Sequence, residues 1–200
     1  MKTNVNQPIQ DRIIEAAGDV FSAKGYHDAN VDEIVRLAET SKGGIYFHFP
    51  SKESLFFAVM DGLSTQLVNK VERAVSKEKT PQAKCEVALE TVLVTLGEHK
   101  KLARLLLVQG YSMGKAFESK RSEIFARFAS QIESVLDLAV KKGDIPSMDT
   151  KLASYVWLGA ISEVTMRWLQ SAGAQSPKEA YRHMREMLLR SAGFKIAWNG

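Results

Sequence analysis

The chain has 200 residues, 45% of them apolar and 25% charged, a balance that excludes a disordered polyelectrolyte and suits one sizeable core or a small module joined to a larger one. A single cysteine, Cys85, excludes an internal disulfide framework, and His27, His48, His99 and His183 share no metal-ligand spacing with it or with one another, so no metal and no cofactor is expected. The net charge of +4 is unevenly spread: residues 1–50 hold five Lys or Arg against seven Asp or Glu, and bulk attraction gives the opening segment no hold on a polyanion.

Helical periodicity runs throughout, without an alternating β-branched run long enough for a sheet, so the expected fold is all-α with about nine helices. Ile13, Ile14, Ala17, Val20 and Phe21 recur at three- and four-residue spacing in a first helix over 8–24, with Gly25 suited to a left-handed closing residue. Asn30 and Glu33 have the pattern of a capping box, opening a short second helix through Ile34, Leu37 and Ala38. A third over 42–49 follows the Thr40-Ser41 turn, and Ser51 caps a long fourth carrying Leu55, Phe56, Val59, Leu63, Leu67 and Val71. Thr80-Pro81 opens a fifth with Val87, Leu89, Val92 and Leu96 inward; Gly97 and Gly110 bracket a sixth, KKLARLLLVQ. The seventh, 117–142, aligns Ile124, Phe125, Phe128, Ile132, Val135 and Leu136 and stops at KKGDIP. Asp149 begins the eighth, through Trp157, Ile161, Val164 and Trp168 to near Gly173, and Ser176-Pro177 with Glu179 begins the last, through Met184, Met187 and Leu188. The chain therefore divides into an N-terminal three-helix module, 1–51, and a C-terminal helical bundle, 52–200. No apolar run is long enough for a bilayer, and the polar start MKTNVNQPIQ lacks the apolar stretch of a secretory signal, so a cytoplasmic protein with no membrane partner is expected.

The stretch SKGGIYFHFPSKESLF, 41–56, carries the most chemistry. On a helical wheel Ile45 and Phe49 share an inner face, while Lys42 with Tyr46, and Gly43 with Phe47, fall outside. Two glycines weaken a helix start by about 1 kcal/mol each relative to alanine, yet they bare the first-turn amides and admit another surface closely. Oriented amides and the helix dipole attract anions without net positive charge, which reconciles an acidic segment with a phosphate backbone. A helix of about nine residues, a short turn and a third helix presenting its first side chains make a helix-turn-helix fitted to a major groove. The residues expected to face double-stranded DNA are Asn30, Ser41, Lys42, Gly43, Gly44, Tyr46, Phe47, His48 and Lys52.

Residues 25–56, GYHDANVDEIVRLAETSKGGIYFHFPSKESLF, resemble the DNA-binding domain of TetR-family transcriptional regulators. The resemblance implies an all-helical homodimer with a ligand-binding C-terminal bundle. It implies that Lys42 and Gly43 face base edges, that Tyr46 and His48 touch phosphates, and that Lys52 with its helix terminus clamps the backbone. Two positions depart from the family pattern: Glu39 stands where a turn glycine is usual, and Gly44 where Thr, Ser or Ala is common. The last two helices, near 149–172 and 177–193, are implied to pair with a second subunit, Trp157, Ile161, Met184, Met187 and Leu188 being interface candidates equally open to a place in the subunit core.

For a small-molecule inducer the candidates are Tyr111, Met113, Phe117, Phe128, Glu163 and Arg167. Phe125 and the first four suit pocket or core; Glu163 and Arg167, four apart, suit a solvated ion pair or polar fixtures at a pocket wall. In 98–127 basic residues outnumber acids, which suits a solubilising face or an acidic head group on a lipid tail. GAISEVTMRWL is similar to the matching helix of fatty-acid-degradation repressors in the family, implying an acyl-CoA; YFHF resembles γ-butyrolactone receptors, implying a small lactone. No nucleophile elbow, phosphate loop or metal-binding pair is present, so catalysis is not expected. The expected function is a ligand-responsive repressor released from operator DNA, with a non-DNA-binding helical interaction protein as the alternative.

Overall fold

A computed structural model of the chain describes residues 8–108, 114–171 and 173–196. These form nine α-helices: α1 (Ile9–Asp28), α2 (Val31–Leu37), α3 (Lys42–His48), α4 (Lys52–Val75), α5 (Pro81–Glu98), α6 (Lys100–Leu107), α7 (Lys115–Lys142), α8 (Thr150–Gln170) and α9 (Pro177–Ser191). The fold is all-helical, as the periodicity predicts. Most starts follow the cap chemistry: the side chains of Ser51, Thr80, Asp149 and Ser176 accept from the backbone N–H groups of Ser54, Ala83, Leu152 and Glu179.

Several expectations need correction. The helical backbone of α1 does break at Gly25, which takes the expected positive φ, 82° with ψ 170°, but a further helical turn follows it to Asp28. Asn30 caps α2 by accepting from Asp32 N, and Glu33 does not reach back; its carboxylate takes Lys24 Nζ at 2.6 Å instead. Gly97 does not end a helix. It lies inside α5, where a Cβ would stand 3.0 Å from Lys178 Cβ and 3.1 Å from Lys178 N, so its missing side chain is what lets α9 approach. Gly110 lies outside the described residues.

Two cores meet along α4. Ile13, Phe21, Ile34, Ile45, Leu55 and Phe56 anchor the first, which packs α1 to α3 onto the start of α4. Leu67, Val71, Leu89, Leu93, Leu136, Trp157 and Leu189 anchor the second, among α4, α5, α7, α8 and α9. Three buried side chains of α6 and α7 cross into the first core: Leu105 of α6, and Phe117 and Ile124 of α7. Phe117 is wedged against Tyr26, Phe56 and Phe57, with ring centroids 5.2, 5.4 and 4.7 Å away. A polar clasp reinforces that junction: Asp61 of α4 takes Lys120 Nζ at 2.7 Å and Arg127 Nη2 at 2.9 Å, and the same Arg127 nitrogen donates to Ser64 Oγ.

The turn between α2 and α3 is made without glycine. Glu39 takes φ 48°, the one non-glycine positive φ among the described residues. A left-handed conformation costs an L-residue about 1–2 kcal/mol. Glu39→Gly is therefore expected to raise stability by about 1 kcal/mol, seen as a higher urea midpoint at unchanged slope; an unchanged or lower midpoint contradicts it.

Candidate nucleic-acid interface and effector cavity

Seven residues define α3, and its orientation is set from inside. Ile45 and Phe49 are buried in the first core, as their spacing predicts. The opposite face consequently turns outward, leaving Tyr46 42% and Phe47 83% exposed. Ser41 caps the helix by accepting from Gly44 N at 3.0 Å. Lys42 is exposed and its Nζ lies 3.1 Å from Asp32 Oδ1 of α2, an exposed pair that a phosphate or base can replace at small cost. His48 meets the Phe47 ring edge-on at 5.1 Å.

Gly44 is explained by its neighbour: a Cβ there would lie 2.6 Å from Thr40 Oγ1. Thr40 thus puts a hydroxyl almost where a side chain at 44 would sit. Sequence reasoning passed over Thr40 as a turn residue, although a hydroxyl residue one helical turn before Gly44 was a usable signal. At the edges of the face, exposed Asn30 caps α2 and half-buried Lys52 opens α4. The Lys52 ammonium donates to His27 O at 3.1 Å and lies 4.8 Å over the Tyr26 ring. Burial holds its pKa below the usual lysine value, with Asp28 opposing. Of the nine residues named for DNA, Asn30, Ser41, Lys42, Gly43, Tyr46 and Phe47 are exposed and Gly44, His48 and Lys52 are partly so, Lys52 being the most engaged with its own chain.

A cavity of about 100 Å³ lies in the bundle, lined by α4, α5, α6, α7 and α8. Apart from Gln131 and Ser162, its described lining is apolar, including Val92, Phe125, Phe128, Ile132, Val135 and Trp157. Gln131 Nε2 donates to Glu72 Oε1 at 2.9 Å, joining α7 to α4 at the rim. Such a concave, dry space suits an uncharged, apolar ligand portion. Cys85 also lines it, and burial, helped by Glu86, pushes its thiol up to about 12. The reactive species is the thiolate, so Cys85 is expected to resist maleimide at pH 8 in the folded protein and to label fully in urea; rapid native labelling contradicts the buried assignment.

The ligand candidates divide. Phe128 lines the cavity. Phe117 does not; it belongs to the aromatic junction with the first core. Of the two readings open for Glu163 and Arg167, the solvated ion pair is the one seen: they lie 2.6 Å apart, 52% and 76% exposed, outside the lining. Tyr111 and Met113 lie outside the described residues. Valines, leucines and Ala88 supply most of the wall, and no pattern separates them from ordinary core until five helices converge. The basic stretch is largely committed elsewhere: Lys101 pairs with Asp19, Lys120 and Arg127 with Asp61, and Lys100 lies over Trp168.

Of the interface candidates, Trp157, Ile161, Met184 and Leu188 are buried in the subunit's own core, whereas Met187 is 71% exposed. Among the described residues no group of three His, Cys, Asp or Glu could hold a metal, and no helix is long and apolar enough to cross a membrane.

A helix-turn-helix with a separate cavity-bearing helical domain defines a DNA-binding transcriptional regulator. The model for bacterial regulatory proteins of the tetR family matches residues 13–59, and that for the tetracyclin repressor-like C-terminal domain matches 78–192. The chain belongs to the TetR family, whose members are regulators rather than enzymes. It is 28% identical over 174 residues to the HTH-type transcriptional regulator SrpR of Pseudomonas putida, covering 84% of this chain and 78% of that one. The structure of FadR from Bacillus subtilis in complex with stearoyl-CoA superimposes with a TM-score of 0.82 at 22% identity, covering 89% and 96% of the two chains. The A-factor receptor protein of Streptomyces griseus is 49% identical, but over 49 residues, 24% of this chain and 18% of its own.

Proposed function

We propose that this protein is a homodimeric repressor whose grip on operator DNA is loosened when the apolar part of a small ligand enters the bundle cavity, an acyl thioester being the favoured ligand class. The observation that carries the reading is the cavity's position. Its lining residues belong to helices that also reach the DNA-binding module. Leu106 and Leu107 of α6 line it while Leu105, next in line, packs in the first core. Along α7, Phe125 and Phe128 line it while Phe117 is wedged against Phe56 and Arg127 holds Asp61 of α4. A ligand that spreads the cavity wall favours a different placement of these helices, and DNA affinity falls by the difference in its affinity for the two arrangements.

At the DNA, Lys42 faces base edges, Tyr46, His48 and the α3 amides meet phosphate, and the Thr40 hydroxyl supplies the contact that Gly44 cannot make. Dimerisation uses the exposed face of α8 and α9, where Leu152, Tyr155, Val156 and Met187 leave large apolar side chains in water. Two α3 helices about one DNA turn apart, roughly 34–36 Å, then read a palindrome. The acyl reading draws support from the stearoyl-CoA complex of the FadR neighbour and from an uncharged lining, which places any acidic head group outside the cavity. The lactone reading has less behind it, because the A-factor receptor likeness spans only a quarter of the chain.

The test is fluorescence anisotropy on DNA from upstream of the protein's own gene, repeated with acyl-CoAs from butyryl to stearoyl. The expected result is salt-sensitive specific binding that one chain length weakens most. Specific binding untouched by any acyl-CoA overturns the ligand class, and equal affinity for random DNA overturns the repressor.

A further inference from the structure

We infer that Phe47 reads the C5-methyl group of a thymine in each operator half-site, and so determines part of the sequence preference. The inference rests on the reading above that α3 enters the major groove. Phe47 is the most exposed of the large hydrophobic side chains described, at 83%. Helix α3 cannot turn to hide it, because Ile45 and Phe49 on the other side are locked in the first core. The edge-on contact with His48, rings 85° apart, props the ring outward instead of burying it.

Chemistry narrows what this ring can meet. A phenyl group has no N–H or O–H to offer a phosphate, and its neighbours Tyr46 and His48 already supply polar groups. In the major groove the apolar feature displayed by the bases is the thymine methyl. Gly43, four residues earlier, shares the strip of helix surface toward which the side chain at 47 leans. Its backbone is bare, and a Cβ there would meet only Ser41 Oγ, at 3.8 Å. Ring and bare backbone together make a wall and a floor, with depth for a methyl group on a base edge. Any larger side chain at 43 would hold that base away.

The experiment selects preferred sites from a random duplex library with the wild-type protein and with Phe47→Ala, then replaces each thymine of the wild-type site by deoxyuridine, which removes only the methyl. At one thymine per half-site, deoxyuridine should weaken wild-type binding about fourfold, the worth of one buried methyl group. Phe47→Ala should ignore that replacement and select sites without a thymine preference there. Its thermal midpoint should match the wild type, since the side chain packs against little. A wild-type protein indifferent to deoxyuridine at every thymine, or a Phe47→Ala protein as sensitive as wild type, overturns the inference and leaves the regulator reading intact. Failure of the wild-type protein to select any site overturns both.

Discussion

Phe56→Ala should cost about 3–5 kcal/mol of unfolding free energy, the range for deleting a fully buried aromatic ring. Phe56 is fully buried at the start of α4, and Phe21, Tyr26 and Phe117 surround it at 5.0, 5.3 and 5.4 Å. Two of those rings come from α1 and one from α7, so the cavity left by alanine opens at the seam between the DNA-binding module and the bundle. With total stabilities of about 5–15 kcal/mol common for domains, the variant should unfold at a much lower urea concentration and lose operator binding as a consequence. Urea denaturation followed by far-ultraviolet circular dichroism measures it. A loss below about 1 kcal/mol, less than the low end for such truncations, would mean that the aromatic junction does not hold the two parts together.

The second large effect concerns function. Ala88→Phe adds a phenyl ring to the wall of a cavity of about 100 Å³, smaller than the roughly 150 Å³ space that accommodates benzene. The ring should occupy the place of the ligand, costing about 1–3 kcal/mol through overpacking. Operator affinity should fall toward the ligand-released value even without ligand, because a ring that overfills the cavity spreads the same wall that the ligand spreads. Release by the most effective acyl-CoA should weaken at least about tenfold, equivalent to 1.4 kcal/mol of lost ligand affinity. Anisotropy titrations of both proteins decide the matter: an unchanged response to ligand would show that the effector binds elsewhere.

Cap chemistry explains why so much of the fold was legible. Ser51, Thr80-Pro81, Asp149 and Ser176-Pro177 announce helix starts through contacts three residues away, and such local signals survive in any tertiary setting. The orientation of α3 was legible for the same reason, since Ile45 and Phe49 one turn apart can only face one way. Gly97 shows the opposite case: its role depends on Lys178, far along the chain, so its sequence context reads as a helix break. Glu163 and Arg167 stand among apolar residues, yet which side of α8 meets solvent is decided by α7 and α9 packing on the other side. Phe117 and Phe128 share one helical stripe, but the 28 residues of α7 are long enough to cross from one core to the other, and periodicity does not say where the neighbour changes. The cavity was the least legible feature, because the same valines and leucines would fill a solid interior.

The continuity of α4 has a practical consequence. Its 24 residues, about 36 Å of rod at 1.5 Å per residue, belong to the DNA reader at one end and to the sensor at the other. Chimeras that graft a foreign sensor onto this reader by cutting near residue 51 would strip away the half of α4 on which α1 is seated. A working hybrid must carry over residues 52–60 and supply its own counterparts of Leu105 and Phe117, so the transferable unit is a surface of contacts assembled from three stretches of chain.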